Sequence, residues 1–562
     1  MHKPKQISSF DIFDTCFVRA CGTPENFFDV LAFRVFNCDV DAYTRNAFII
    51  ARRKTERELY KEDPHTDIYN IYNNLTFEHP QLFDKDKLPE IEMQLEKEMI
   101  RPVLLTRDKV NKARAKGHLI VFISDMYLHS DFLIPLLAQY GFYKQNDKVY
   151  ISAEMGACKY GGGLYKLIQN DLGIPFKKWT HYGDNNGCDY DAARELGINA
   201  KRVVLGYQPY PQKWNDEECS LYYKHASIAA GISRAIYHSE PDNAHKNFIL
   251  DLIAPFSCSY VYRVMKDANE RGINRLFFCA RDAHHLYNIA TQLSSLFPHI
   301  ELHYIQISRD ALLKSNQQDL IIYFIQEGLA SKNINTAIVD STTSGKTTML
   351  INDLLKNNEF NTIFSYYYLY WDDDGRNILI DPSYFKFEIQ QSRALLNKQY
   401  YSLFKLVNNC IFESFFSLNT ESHTESIIKQ GEKYVPKYDQ GNCEDSFVYE
   451  ADKWMKIHDE LIAKYTNNFI ITKLYLYSDN LFETALKTLL SFFRFPEKEY
   501  LPALLSFKAF FSDKPVIKEC STVHLLLHRG KDSAWPLATI IYNLPHIFRS
   551  LMMTKFRKKN IY

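Results

Sequence analysis

Short apolar runs that stop abruptly at a polar, chemistry-bearing residue recur through the first two hundred positions, with helical segments between them, and this alternation constrains the fold most. Ile7-Ser8-Ser9-Phe10 runs into Asp11, His118-Leu119-Ile120-Val121-Phe122-Ile123 into Ser124-Asp125, and Trp179-Thr180-His181-Tyr182 into Gly183-Asp184. A fourth run, Lys148 to Ser152, precedes Lys159 and the triplet Gly161-Gly162-Gly163, whose glycines free the backbone before a helix from Leu164. A fifth, Arg202 to Leu205, closes the series. Continuously apolar strands separated by helices imply a parallel sheet covered on both faces, with right-handed crossovers that bring the strand ends to one edge. Ligands bind at that edge in open α/β sheets. Asp11, Ser124, Lys159 and Asp184 are therefore expected to converge there.

Taken singly, each of these residues has an ordinary explanation. Asp11 can cap a helix, Ser124 likewise, Lys159 can be a solvated lysine, and the Asp-Asn residues after Gly183 can form a turn. Taken together, in order and on successive strand ends, they argue for a site.

The ordered set, Asp11 to Thr15, Ser124, Lys159, and Gly183-Asp184 with Asp189, resembles the haloacid-dehalogenase-like (HAD) hydrolase superfamily over roughly residues 7 to 206. The resemblance implies an α/β fold, a Rossmann-like parallel sheet with a helical cap inserted at about residues 16 to 117. It casts Asp11 as the nucleophile that forms an aspartyl-phosphate and Lys159 as the charge that holds it ionised. It makes Thr15, Ser124, Asp125 and Lys159 the phosphate-binding residues. It gives Mg2+ to Asp11, the backbone carbonyl of Phe13, Asp184 and Asp189, hard oxygen ligands of the kind that ion takes. The implied substrate is a small phosphorylated metabolite.

One departure stands out. In phosphatases of this superfamily the second residue after the nucleophile is usually another Asp, the general acid that protonates the leaving oxygen. Here it is Phe13, and Asp14, one position on, is expected to point elsewhere. A weakly active or inactive scaffold that binds a phospholigand is therefore the alternative to a phosphatase, and dehalogenation or cleavage of a carbon-phosphorus bond a third reading.

A linker is expected over residues 207 to 245, from Tyr207-Gln208-Pro209-Tyr210-Pro211 and the acidic Asp216-Glu217-Glu218. A second α/β domain is expected over 246 to 390. Its strands are Arg275 to Ala280, Leu302 to Ile307, and Thr336 to Val339. Their ends carry Arg281, Asp282, Arg309 and Asp340. The stretch from Asp340 through Gly345-Lys346-Thr347 invites comparison with a phosphate-binding loop, but Asp340 stands where that loop has its first glycine, which favours a structural turn over nucleotide binding. This half resembles, loosely, large bacterial HAD-like proteins associated with surface-polysaccharide and glycosyltransferase systems; Ala283 replaces a glycine recurrent there. If the second domain is the active one, the first becomes its assembly partner. His284, His285 and His303 match no strong metal-ligand spacing.

Residues 391 to 562 read as a mostly helical region. Its last stretch, Phe548 to Lys559, mixes apolar and basic residues, so weak contact with an anionic membrane surface competes with a solvated tail.

Sixty-seven basic residues balance sixty-seven acidic ones, which removes the overall basic footprint that nucleic-acid binding needs. No apolar run is expected to span a bilayer, and a cytoplasmic protein with reduced thiols is expected from eleven scattered cysteines without a Cys-x-x-Cys pair. The abundant aromatics, 38 Tyr and 39 Phe, read as core more readily than as a carbohydrate surface. Oligomeric state is left open.

Overall fold

A computed structural model describes residues 6–36, 40–205, 224–243, 245–280, 283–331, 334–343, 346–360, 364–371, 424–438, 445–494, 500–501 and 542–543. The chain divides into two compact units, one of Met1–Asp242 with Asn468–Leu476, the other of Asn243–Asn467 with Tyr477–Tyr562.

The first unit is built on a parallel five-stranded sheet: β1 (Ile7–Asp11), β4 (Leu119–Ser124), β5 (Lys148–Ile151), β6 (Trp179–Gly183) and β7 (Asn199–Arg202), in the order β5-β4-β1-β6-β7. All of β1 is buried, as expected of a central strand covered on both faces. Its neighbours are in register, Asp11 beside Ile123 of β4 and Phe10 beside Tyr182 of β6. The chain moves to one side of β1 through β4 and β5 and then to the other through β6 and β7. That reversal opens a crevice at the C-terminal end of β1. Phe10 fixes the centre, stacked on Tyr182 with ring centroids 4.8 Å apart.

Between β1 and β4 lie the helices α1 (Pro24–Phe36), α2 (Ala42–Glu62), α3 (Ile68–Asn73) and α4 (Leu88–Met99). α4 carries an apolar stripe: Leu88, Leu95 and Met99 are buried with Phe28, Leu31, Phe36 and Phe48 in one cluster. This insertion is not wholly helical. It leaves and returns through a short antiparallel pair, β2 (Phe17–Arg19) and β3 (Ile100–Pro102), and the next helix, α5 (Leu104–Ala115), packs on β1 and β4. Inside the insertion, Arg52 is fully buried and meets Glu92 through two nitrogens, Nε at 3.1 Å and Nη2 at 2.9 Å. Tyr72 and Tyr127 donate their hydroxyls to the same carboxylate. A buried ion pair is tolerable only when its remaining lone pairs are satisfied in this way.

Three expectations shift. The last strand is Asn199–Arg202 rather than Arg202 to Leu205, because Val204 is exposed while Ala200 faces the core. Part of the expected linker is a helix, Lys224–Ser239, mostly buried, and it belongs to the first unit. It lies against the turn after β2 so closely that a Cβ on Gly231 would stand 1.8 Å from the backbone nitrogen of Gly22. One helix, Lys246–Glu270, is long and apolar enough to cross a membrane by length and composition, against the expectation of none, and 94% of its apolar window is buried within the protein.

The second unit contains a parallel sheet of β8 (Arg275–Cys279), β9 (Glu301–Ile305), β10 (Thr336–Thr343) and β11 (Phe364–Trp371), ordered β11-β10-β8-β9. Among the described residues the aromatic run Tyr366 to Trp371 thus lies in an edge strand. A hairpin, β12 (Thr424–Gln430) with β13 (Lys433–Tyr438), interrupts the expected helical region, which otherwise shows the helices Asp445–Ile471 and Ser478–Arg494. The terminus from Phe548 lies outside the described residues. Of the cysteines, Cys16, Cys21, Cys158, Cys188, Cys258 and Cys279 are free thiols.

Candidate active site

Asp11 ends β1, and the tight turn after it is closed by the Cys16 and Phe17 N–H groups on the Ile12 carbonyl. That keeps the Phe13 carbonyl out of the turn's own bonds. Lys159 follows a short helical turn ended by Gly156 in the left-handed conformation, φ 62°. Its Nζ donates to Asp11 Oδ1 at 2.5 Å and to Asp189 Oδ1 at 2.6 Å, with all three side chains buried. Asp184, just past β6, accepts a long bond of 3.4 Å from the buried Thr15 hydroxyl. Asp11, Asp184 and Asp189 offer oxygen atoms within 4.8 Å of one another, the one such group among the described residues. Ser124 ends β4, one register position beyond Asp11, and is buried.

Asp189 sits in the turn Asn186–Asp191, where its Oδ2 accepts the Asn185 N–H at 3.0 Å. Its approach to the strand requires Gly183: a Cβ there would lie 2.3 Å from Asp189 Cγ. Behind it runs a buried chain that the sequence did not announce. Trp179 donates its indole N–H to Ser9 Oγ at 2.6 Å, Ser9 meets His181 Nδ1 at 2.7 Å, and His181 Nε2 lies 3.3 Å from Asp189 Oδ1. Since a carboxylate only accepts, His181 carries its proton on Nε2 and takes the Ser9 hydroxyl proton on Nδ1. The only hint in the sequence was a histidine inside the strand that leads to Gly183.

Burial works against the charge of Lys159, but Asp11 and Asp189 hold its pKa well above the ordinary value. Burial also works against Asp189, yet Lys159 and His181 hold it well below the usual carboxylate range. Burial pushes Asp11 well up, opposed by Lys159 and reinforced by Asp189 and Asp184. Burial and Asp14 push Asp184 up to about 6. Three carboxylates stand together with one lysine, paired to two of them, and their hard oxygen donors could hold a metal ion.

Asp125 turns its carboxylate to the segment that carries Lys159. Both of its oxygens accept the Lys159 backbone N–H, at 2.9 and 3.1 Å, so it braces the lysine's segment; a carboxylate aimed at a phosphate would repel it. Phe13 lies under Arg19, whose guanidinium is 4.3 Å from the ring centroid and bonded to Glu96 at 2.8 Å. Asp14 has a left-handed backbone, φ 51°, and its carboxylate lies 3.2 Å from Arg234 Nη2. As expected, its side chain points elsewhere, toward Arg234. A cavity of about 270 Å³ opens beside the cluster.

In the second unit, Arg281 and Asp282 lie outside the described residues. Arg309 opens the helix Arg309–Lys314 beyond β9. Asp340 lies within β10, not at its end, because the strand continues to Thr343. Lys346 begins the helix Lys346–Asn357. His284 is 3.2 Å from Asp459, whereas His303 stacks on Phe277, so the three histidines do not form a metal cluster.

No protein-family model matches the chain, and no curated protein matches it significantly. Among solved structures it is similar to a 2-haloacid dehalogenase from Pseudomonas syringae pv. Tomato, at 15% identity over 38% of this chain and 90% of that one, TM-score 0.26. It is similar to a HAD family enzyme from Bacteroides thetaiotaomicron in a magnesium complex, at 15% identity over 38% and 98%, TM-score 0.28. It is also similar to a dehalogenase with an intermediate complex, at 16% identity over 37% and 89%, TM-score 0.27. Scores this low carry no argument about what this chain does.

Proposed function

We propose that the first unit is a HAD-like, Mg2+-dependent phosphohydrolase or phosphotransferase that works through an aspartyl-phosphate on a small phosphorylated metabolite. The observation that carries the reading is the buried Lys159 ammonium shared between Asp11 and Asp189, with Asp184 alongside. In this reading an Asp11 oxygen attacks phosphorus in line, the bond to the leaving oxygen breaks, and water later releases phosphate. Lys159 opposes the burial that favours the neutral form of Asp11 and offsets charge on the phosphoryl oxygens. Ser124 donates a hydrogen bond to one of those oxygens. Asp189, steadied by His181, positions the lysine. Bound at Asp11, Asp184, Asp189 and the Phe13 carbonyl, Mg2+ would neutralise charge on the phosphoryl group. The helices between β2 and β3 act as the cap that limits water at the site. A sugar phosphate of surface-polysaccharide synthesis is the substrate that the sequence resemblance favours.

The test is phosphate release from a panel of phosphorylated sugars, with and without Mg2+, by wild type and Asp11→Asn. Loss of at least about a thousandfold in the variant is expected for a nucleophile. Equal rates in both proteins overturn the reading.

A second reading has its own observation. Phe13 is covered by Arg19 and Asp14 is paired with Arg234. A site lacking an acid is also what a slow or inactive phospholigand-binding scaffold would have, with the second unit as the active part.

A further inference from the structure

We propose that the cavity beside the Asp11–Lys159 cluster receives the substrate's leaving group and selects an uncharged or cationic hydroxylated group over one with a second anion, with Glu56 and Tyr60 as specificity-determining residues. This rests on the phosphoryl-transfer reading above.

Place comes first. The cavity is lined on one side by Asp125, Cys158 and Cys188, the immediate chain neighbours of Ser124, Lys159 and Asp189. On the other it is lined by Glu56 and Tyr60 of α2 and by Thr66 and Ile71 at α3. A group attached to a phosphate held at Ser124 and Lys159 would extend into it.

Charge comes second. Glu56 and Asp125 contribute carboxylates, and no Lys, Arg or His is among the described lining residues. Arg52 donates to Glu56 at 2.7 Å, but this arginine is fully buried and holds Glu92 with its other nitrogens, so it does not present a cation to the cavity. A carboxylate or second phosphate on the leaving group would be desolvated beside like charges with nothing to pair with, a repulsive element that discriminates between substrates. A hydroxyl or an ammonium would find acceptors.

The third observation is independent of charge. The Tyr60 hydroxyl is buried beside Ser152 and has no partner at full hydrogen-bond geometry. The Ser152 hydroxyl that bears on it is engaged with the Met126 backbone. Burial pushes Tyr60 up to about 12, so it keeps its proton and is a donor waiting for an acceptor. Buried polar groups are seldom left so without cause. A ligand hydroxyl would satisfy it, while Ile71 and Met126 supply an apolar face for the carbon skeleton.

The experiment is equilibrium binding by calorimetry on the full chain carrying Asp11→Asn, in Mg2+, with three monophosphates of matched size: a polyol, an amino-polyol and a carboxylated polyol. The carboxylated compound should bind at least about tenfold more weakly than the polyol, the discrimination that about one lost polar contact supplies. Adding Glu56→Gln should erase the amino-polyol's advantage and relieve the rejection of the carboxylate. Adding Tyr60→Phe, which removes only that oxygen, should weaken the polyol about fivefold or more, since a hydrogen bond to the ligand is lost. Equal affinity for the three compounds, no binding of any, or ratios unchanged in both variants overturn the proposal. Turnover of the same compounds by wild type and by Asp11→Asn judges the phosphoryl-transfer reading separately: selective binding with turnover independent of Asp11 sinks that reading alone, and turnover dependent on Asp11 with unselective binding sinks this inference alone.

Discussion

In the proposed phosphoryl transfer, position 13 bears on how a leaving group departs. An alkoxide leaves phosphorus readily only if it is protonated as it goes, and a positioned acid contributes about 10²–10⁴-fold to such steps. Phe13 cannot donate, Asp14 is held by Arg234, and Asp125 is bound by both oxygens to the Lys159 N–H. Rates should therefore depend steeply on how well the leaving oxygen bears negative charge. Across a series of phosphate esters, log(kcat/KM) of the wild type should fall steeply as leaving-group pKa rises, with aryl esters at least about a hundredfold better than alkyl ones. Phe13→Asp should flatten that dependence. A shallow slope in the wild type would mean that another group donates the proton. Asp11, Lys159, Asp184 and Asp189 were legible in the sequence because each follows an apolar strand at short range. His181 and Arg234 were not, since their partners Ser9 and Asp14 lie 172 and 220 positions away and only the folded sheet brings them together.

Elements carry the site by close approach. Gly183 ends β6 under the Asp189 carboxylate, and a methyl there would meet Cγ at 2.3 Å. Gly183→Ala should push Asp189 off Lys159, cutting turnover by about tenfold or more while costing about 1–3 kcal/mol of stability, as overpacking does. Kinetics and thermal unfolding of the variant measure both, and unchanged kinetics would show that Asp189's position is dispensable. In the insertion, Glu92→Ala would leave Arg52 as a buried, fully enclosed charge that retains only Glu56. A loss of about 3–5 kcal/mol is expected in denaturant unfolding; a loss below about 1 kcal/mol would show water or another acceptor reaching Arg52. Strand existence was readable from apolar runs, but strand limits were less so. The Val203-Val204-Leu205 run drew the last strand three residues too far, and β11 was hidden because the abundant aromatics were read as core without a strand being assigned to them. Apolarity marks burial, and it does not by itself mark where backbone pairing begins.

At the scale of the whole molecule, the division into units was the least legible feature. Proline and acidic residues before position 220 suggested a linker reaching 245, but Lys224–Ser239 is an apolar helix whose fit depends on Gly231 meeting Gly22, a contact between distant segments. Asn468–Leu476 joins the first unit from far along the chain, with Arg101 donating to Asn468 at 2.6 Å, and no local pattern announces that. The helix should give the first unit a pH dependence. His225 is 6% exposed, and burial pushes its pKa down to about 4. Its folded value lies below the ordinary 6.5, so the unfolded chain takes up the proton first. Its contribution is intact above pH 6.5 and is lost as pH falls, the loss being complete near pH 4. At about 1.4 kcal/mol per pKa unit the whole effect is at most about 3.5 kcal/mol, and about 2 kcal/mol of it falls between pH 6.5 and 5. The Tm of this unit should therefore drop by about 5 °C more in the wild type than in His225→Gln over that interval, given the usual few degrees per kcal/mol for a domain of this size. Calorimetric scans of both proteins at pH 7, 6 and 5 measure it, and parallel declines would assign the acid sensitivity to groups other than His225.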